Sequence, residues 1–169
     1  MRVITSLVIL AAAFSTASCS MSRLEIVRSF QATFPIIEEM QVTEMGTGRC
    51  GYHFEYLRGK FLDLSKDDWC VRTGGGLVGY KPFDDQAWAD RDSLLAALER
   101  NGAPGLHRFN ARFGSDGHVT RASFVPSGGF LSMYEEYIYH PGHGLTAEDR
   151  DDSWCMEPVD QDWLRGWGC

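Results

Sequence analysis

The chain has 169 residues, 44% of them hydrophobic, and a formal net charge of −7 at neutral pH. That length fits one domain with its own core, and the acidic balance disfavours nucleic acid and anionic headgroups, because both would be repelled. Five cysteines leave one over if the others pair, so the first of them bears on where the protein works.

Arg2 and the amino terminus precede an apolar run from Val3 to Phe14 that only Thr5 and Ser6 interrupt. A spanning helix needs about 20 apolar residues and an export signal only about 7 to 15, so the run reads as a signal. It leads into Ser15, Thr16, Ala17, Ser18 and Cys19. This segment resembles the lipobox of bacterial lipoproteins, with Thr16 where leucine is usual, and the resemblance covers the signal alone. It implies a signal peptide over 1–18 and a mature chain that begins at a lipidated Cys19, triacylated with palmitate among its chains. Ser20 after the cysteine fits the outer membrane, facing the periplasm. The plainer alternatives are an ordinary secretory signal or a cytosolic start at Met21. Loss of residues 1–18 removes one arginine, which moves the formal charge from −7 to −8.

With Cys19 consumed by lipid, Cys50, Cys70, Cys155 and Cys169 remain, and an oxidising compartment favours two disulfides among them. Three connectivities exist. The local one, Cys50 with Cys70 and Cys155 with Cys169, is preferred because each pair closes a short loop bounded by turns. "DDWC" and "DDSWC" place Trp69 and Trp154 directly before two of these cysteines, which suggests a tryptophan packed beside each bridge.

Along the chain, Leu24, Ile26, Val27, Phe30 and Phe34 keep helical spacing from Met21 to about Gln31, and Pro35 is expected to end that run. Residues 41 to 49 are polar and glycine-containing and read as a loop. "CGYHFEYL" alternates as a half-buried strand, with Tyr52, Phe54 and Tyr56 on one face, and "RGK" turns it into "FLDL" as a hairpin. A short run "LVGY" closes at Pro82. The clearest helix is "DDQAWADRDSLLAALERNG", capped by Asp84 or Asp85, striped by Trp88, Leu94, Leu95 and Leu98, and stopped at Gly102. Three strands follow, "LHRFNARF", "HVTRASFV" and "FLSMYEEYIYH", separated by the turn clusters "GSDG" and "PSGG". On the last, Leu131, Met133, Tyr137 and Tyr139 share a face that Glu135 interrupts. These elements predict an α+β fold: a mostly antiparallel sheet meander with one main covering helix and two disulfides.

Motifs for chemistry are weak. "GTGRCG" matches GxGxxG, but a strand follows it where dinucleotide binding needs a helix. "HPGH" sets His140 and His143 around a turn with Glu135, Glu136 and Asp149 near in sequence, and a metal could use them; the HExxH spacing is absent. The acid-rich run from Glu148 to Asp162 lacks EF-hand spacing and reads as a solvated loop. GxSxG, CxxC and SxxK are all missing. Trp154, Trp163 and Trp167 crowd the tail, where aromatics either fill a small core or stack on sugars and protein partners.

The sequence is therefore divided into the signal peptide 1–18, a lipidated amino terminus with short helix and linker over 19–48, and an α+β disulfide-stabilised domain over 49–169. The expected role is a lipid-anchored cell-envelope protein, a non-enzymatic binding or assembly module. Its partners are the membrane, through the lipid, and an envelope protein or glycan, with no cofactor, metal or catalytic residue assigned. The alternative is a small envelope hydrolase or metal-dependent enzyme built on His140, His143 and nearby carboxylates.

Overall fold

A computed structural model of the chain describes residues 21–48, 51–63, 79–127, 135–142 and 154–168. Helix α1, Arg23–Gln31, starts at a capping box: the Glu25 N–H donates to Ser22 Oγ at 3.3 Å, and the Glu25 carboxylate accepts from the Ser22 N–H at 2.7 Å. Two otherwise unpaired donors of the first turn are thereby satisfied. Pro35, expected to stop this helix, instead lies in the first turn of α2, Phe34–Met40. There its missing N–H would have had no partner, and its fixed φ already suits a helix. Gln41, at φ 50° in the left-handed region, ends α2.

Strand β1, Glu44–Gly48, occupies the segment expected to be a loop. Next come β2 (Gly51–Tyr56), β3 (Gly59–Leu62), β4 (Tyr80–Pro82) and helix α3 (Asp85–Arg100). The Asp84 carboxylate caps α3 by accepting from the Ala87 N–H at 2.7 Å. The remaining strands are β5 (Leu106–Phe113), β6 (Val119–Pro126), β7 (Glu135–Tyr139), β8 (Trp154–Pro158) and β9 (Trp163–Gly168). No helix among the described residues is long and apolar enough to cross a membrane.

The nine strands among the described residues join one sheet in the order β4-β3-β2-β1-β5-β6-β7-β9-β8. The fold is α+β, but the sheet is mixed and not a simple meander. β3 and β4 are parallel, β1 pairs with β5 across the intervening helix, and β9 inserts between β7 and β8. Beside the one main covering helix expected, α1 and α2 also cover it among the described residues, and the apolar residues of all three merge with one sheet face in a single core. Val27, Phe30, Phe34 and Ile37 from α1 and α2 and Leu94 and Leu98 from α3 meet Phe54, Phe109, Phe124, Tyr137 and Trp163. Within the segment 19–48, expected as a lipidated terminus, short helix and linker, Val27, Phe30, Phe34, Ile37, Val42 and Met45 are in this core. The acid-rich stretch expected as a loop carries β8 and runs into β9, because Trp163, fully buried, gains more from the core than its acidic neighbours lose by flanking it.

Candidate functional site

Strand alternation sends every second residue away from the helices. On β5 and β6 the core residues Phe109, Ala111, Ala122 and Phe124 face inward, so the cross-strand pairs Asn110↔Ser123 and Arg112↔Arg121 face outward together. A concavity of about 460 Å³ opens on this outer face at the middle of the sheet, lined by Thr43, Asn110, Arg112, Arg121, Ser123 and Glu136 among the described residues. Ile138 adds an apolar wall. The register shifts where Phe113 pairs with Val119, which leaves Thr120 as an extra residue on β6. The Thr120 hydroxyl donates to the Arg112 carbonyl at 3.2 Å. Bulges of this kind re-aim the side chains beside them, here the two arginines.

The rest of the outer face is an ion-paired surface. Lys60 holds Glu55 at 2.7 Å, and that bond keeps the lysine pKa above its ordinary value. His53 Nε2 lies 3.1 Å from Glu44 Oε1 but off the direction of a hydrogen bond. Glu136 approaches Arg108 at 3.9 Å.

The inner face ends in a second network. Arg165 bonds Glu135 and, at 3.2 Å, Glu157, which also pairs with Arg23 at the start of α1. Its guanidinium lies 4.6 Å from the Trp167 ring centroid. The Tyr137 hydroxyl donates to Glu135 at 2.8 Å, and burial first, then that bond, pushes its pKa far up. These groups tie α1 to β7, β8 and β9. A smaller hollow, about 340 Å³, lies between α3 and β1, with Tyr52, Arg91 and His107 in its wall and Arg91 stacked 4.7 Å from the Tyr52 ring.

Of the residues the sequence singles out, Cys19, Cys50, Cys70, Cys169, His143 and Asp149 lie outside the described residues, as do Trp69, Leu131 and Met133. Cys155 sits in β8 and is disulfide-bonded; no disulfide joins two described residues, so the expected pairings rest on cysteines outside them. His140 directly follows β7, and its backbone N–H donates to the Asp162 carbonyl at 2.8 Å. Of its expected companions, Glu135 and Glu136 are described, and both pair elsewhere. Glu135 points to the helix face and Arg165, and Glu136 lies on the outer face about 13 Å along the strand. Among the described residues no three metal-ligating side chains come together. "GTGRCG" falls where β1 leads into β2, with no helix after it. In the tail, Trp163 is core, whereas Trp154 and Trp167 are half-buried.

Sequence reasoning missed the outer-face concavity. Arg112 and Arg121 each appear in an alternating strand, but only the register across the Thr120 bulge sets them side by side. No family model, no curated protein and no solved structure matches the chain.

Proposed function

We propose that the protein is a lipid-anchored component of a bacterial cell envelope, attached through Cys19, whose outer sheet face is a non-enzymatic binding surface. The observation that carries this reading is the concavity of about 460 Å³ floored by β5 and β6, the middle of the sheet. Side chains on paired central strands are held more firmly than those on loops, and such preorganisation favours recognition. The disulfide at Cys155 supports an oxidising compartment, and the export signal with its cysteine supports anchoring. A tether of this kind raises the local concentration of envelope partners.

Two measurements test the proposal. Mass spectrometry of the amino-terminal peptide from the native host should find an acylated Cys19, and Cys19→Ser should block processing. A photo-crosslinking residue in place of Ser123, on the floor of the concavity, should capture an envelope partner. An unmodified peptide that begins elsewhere would remove the anchor, and a Ser123 probe that captures nothing while a probe at exposed Glu99 on α3 does would move the binding surface to the helices.

A further inference from the structure

The outer face contains an electrostatic arrangement that the fold alone does not require. Arg112 and Arg121 stand directly opposite each other on neighbouring strands, where like charges destabilise a sheet. Both are exposed. In a chain with 23 acidic residues, neither guanidinium makes an ion pair or hydrogen bond among the described residues. Nearby acids are committed elsewhere. Glu38 holds His118 and the Val119 N–H, Asp116 accepts from the His118 N–H, and Glu136 turns to Arg108. The side chains of Asn110 and Ser123, one pair further along the same face, likewise have no hydrogen-bond partner there.

We propose that Arg112 and Arg121 bind the oxyanion of a small acidic saccharide, with Asn110 and Ser123 placed for its hydroxyls; this rests on the reading of the outer face as a binding surface. A planar guanidinium matches a carboxylate or phosphate through two parallel N–H donors, and two of them on one wall neutralise the charge that the acidic remainder of the protein would repel. Amide and hydroxyl groups beside them suit a polyol. Glu136 at the edge accepts from a sugar hydroxyl and turns away a second anion, which sets the charge at one oxyanionic group. The volume, about 460 Å³, lies within the range of about 300 to 1,000 Å³ usual for small-ligand sites and admits a short saccharide end, not a length of polymer.

The test is a calorimetric titration of the purified full chain with glucuronate, glucose 6-phosphate and glucose. One or both anions should bind and glucose should not, and the stronger anion identifies the oxyanion as carboxylate or phosphate. Affinity should fall as salt rises. Arg112→Gln and Arg121→Gln should each weaken binding at least about tenfold, the change expected for a lost charge-assisted contact, with melting temperatures not lowered because neither side chain holds another group. Equal binding of glucose, unchanged affinity in both variants, or no binding of either anion at millimolar concentration would overturn the site. Partner capture in the native envelope reads the broader proposal separately. A chain that captures nothing yet binds glucuronate through its arginines loses the envelope role and keeps the site. Capture undiminished in the double variant, with no anion bound, does the reverse.

Discussion

Phe124 packs both amino-terminal helices onto the sheet, and its truncation measures how far they belong to one cooperative unit. Its side chain is fully buried. The ring stacks on Phe30 of α1 at 4.1 Å and 17°, tilts against Phe109 at 4.8 Å, and reaches Trp163 at 5.8 Å and Phe34 of α2 at 6.3 Å. Phe124→Ala removes a buried aromatic whose loss typically costs about 3–5 kcal/mol. The nearest ring pairs are each worth about 0.5–1.5 kcal/mol beyond area, which places the expectation at the upper end of that range, about 4–5 kcal/mol. For a chain of this size each kcal/mol moves the midpoint by about 2–4 °C, so the melting temperature should drop by roughly 8–20 °C. Equilibrium urea unfolding followed by far-ultraviolet circular dichroism gives the free energy directly, with the denaturant slope expected to be unchanged. Phe124→Leu should recover a large part of the loss. A cost below about 1.5 kcal/mol at constant slope would refute the shared core, since it lies under the range for any fully buried phenylalanine.

Three further outcomes follow from contacts elsewhere. The Tyr56 hydroxyl donates to Asp90 at 2.6 Å; this holds the Asp90 carboxyl below its ordinary range, while burial and the same bond push Tyr56 up to about 12. A carboxyl with a lowered folded pKa contributes stability that is present above its unfolded value, about 3.9, and is lost as pH falls through the folded one. Asp90→Asn should therefore flatten the acid limb of a stability-against-pH curve below about pH 4, and an identical limb would show that the bond does not couple to folding. A methyl group at Gly166 would sit 2.3 Å from Trp154 Nε1, so Gly166→Ala should displace that indole and cost about 1–3 kcal/mol in thermal melts; wild-type stability would mean the indole does not need the space. Non-reducing peptide mapping should join Cys155 to Cys169. A peptide linking Cys155 to Cys50 or Cys70 would refute that local pairing.

Local rules and tertiary needs agree in the middle of the chain, and there the fold was legible. β5 and β6 follow from their alternation about the "GSDG" turn, and α3 from Asp84 at its start and Gly102, at φ +71°, beyond its end. β1 was not legible, because "EMGTG" has the composition of a loop. Its glycine has a packing cause: a Cβ at Gly46 would lie 2.9 Å from the His107 carbonyl oxygen, so the central strand requires the residue that weakens its own signal. Pro35 was legible as a boundary, but the same ring fits either side of one. The tail misled through its acids, which describe its solvent side, while Trp163 and Leu164 set its burial. The arginine pair could not be read at all, since register across a bulge is a property of two strands and neither strand states it alone.

The cap at Ser22 stands only three residues beyond Cys19. Three residues of fully extended chain reach about 10 Å, so a lipid on Cys19 would leave the domain almost no leash. Such a protein could not patrol the space beyond the bilayer; it would ride against the headgroups with α1 as its mooring. Because α1 packs on the helix side of the sheet, the mooring and the arginine-lined hollow lie on opposite sides of the sheet. Short moorings trade reach for orientation. Rotation about this one would sweep the hollow through a fixed shell, so a partner has to come to the membrane surface to be met, and lengthening the chain between Cys19 and Ser22 would widen that shell without touching either site.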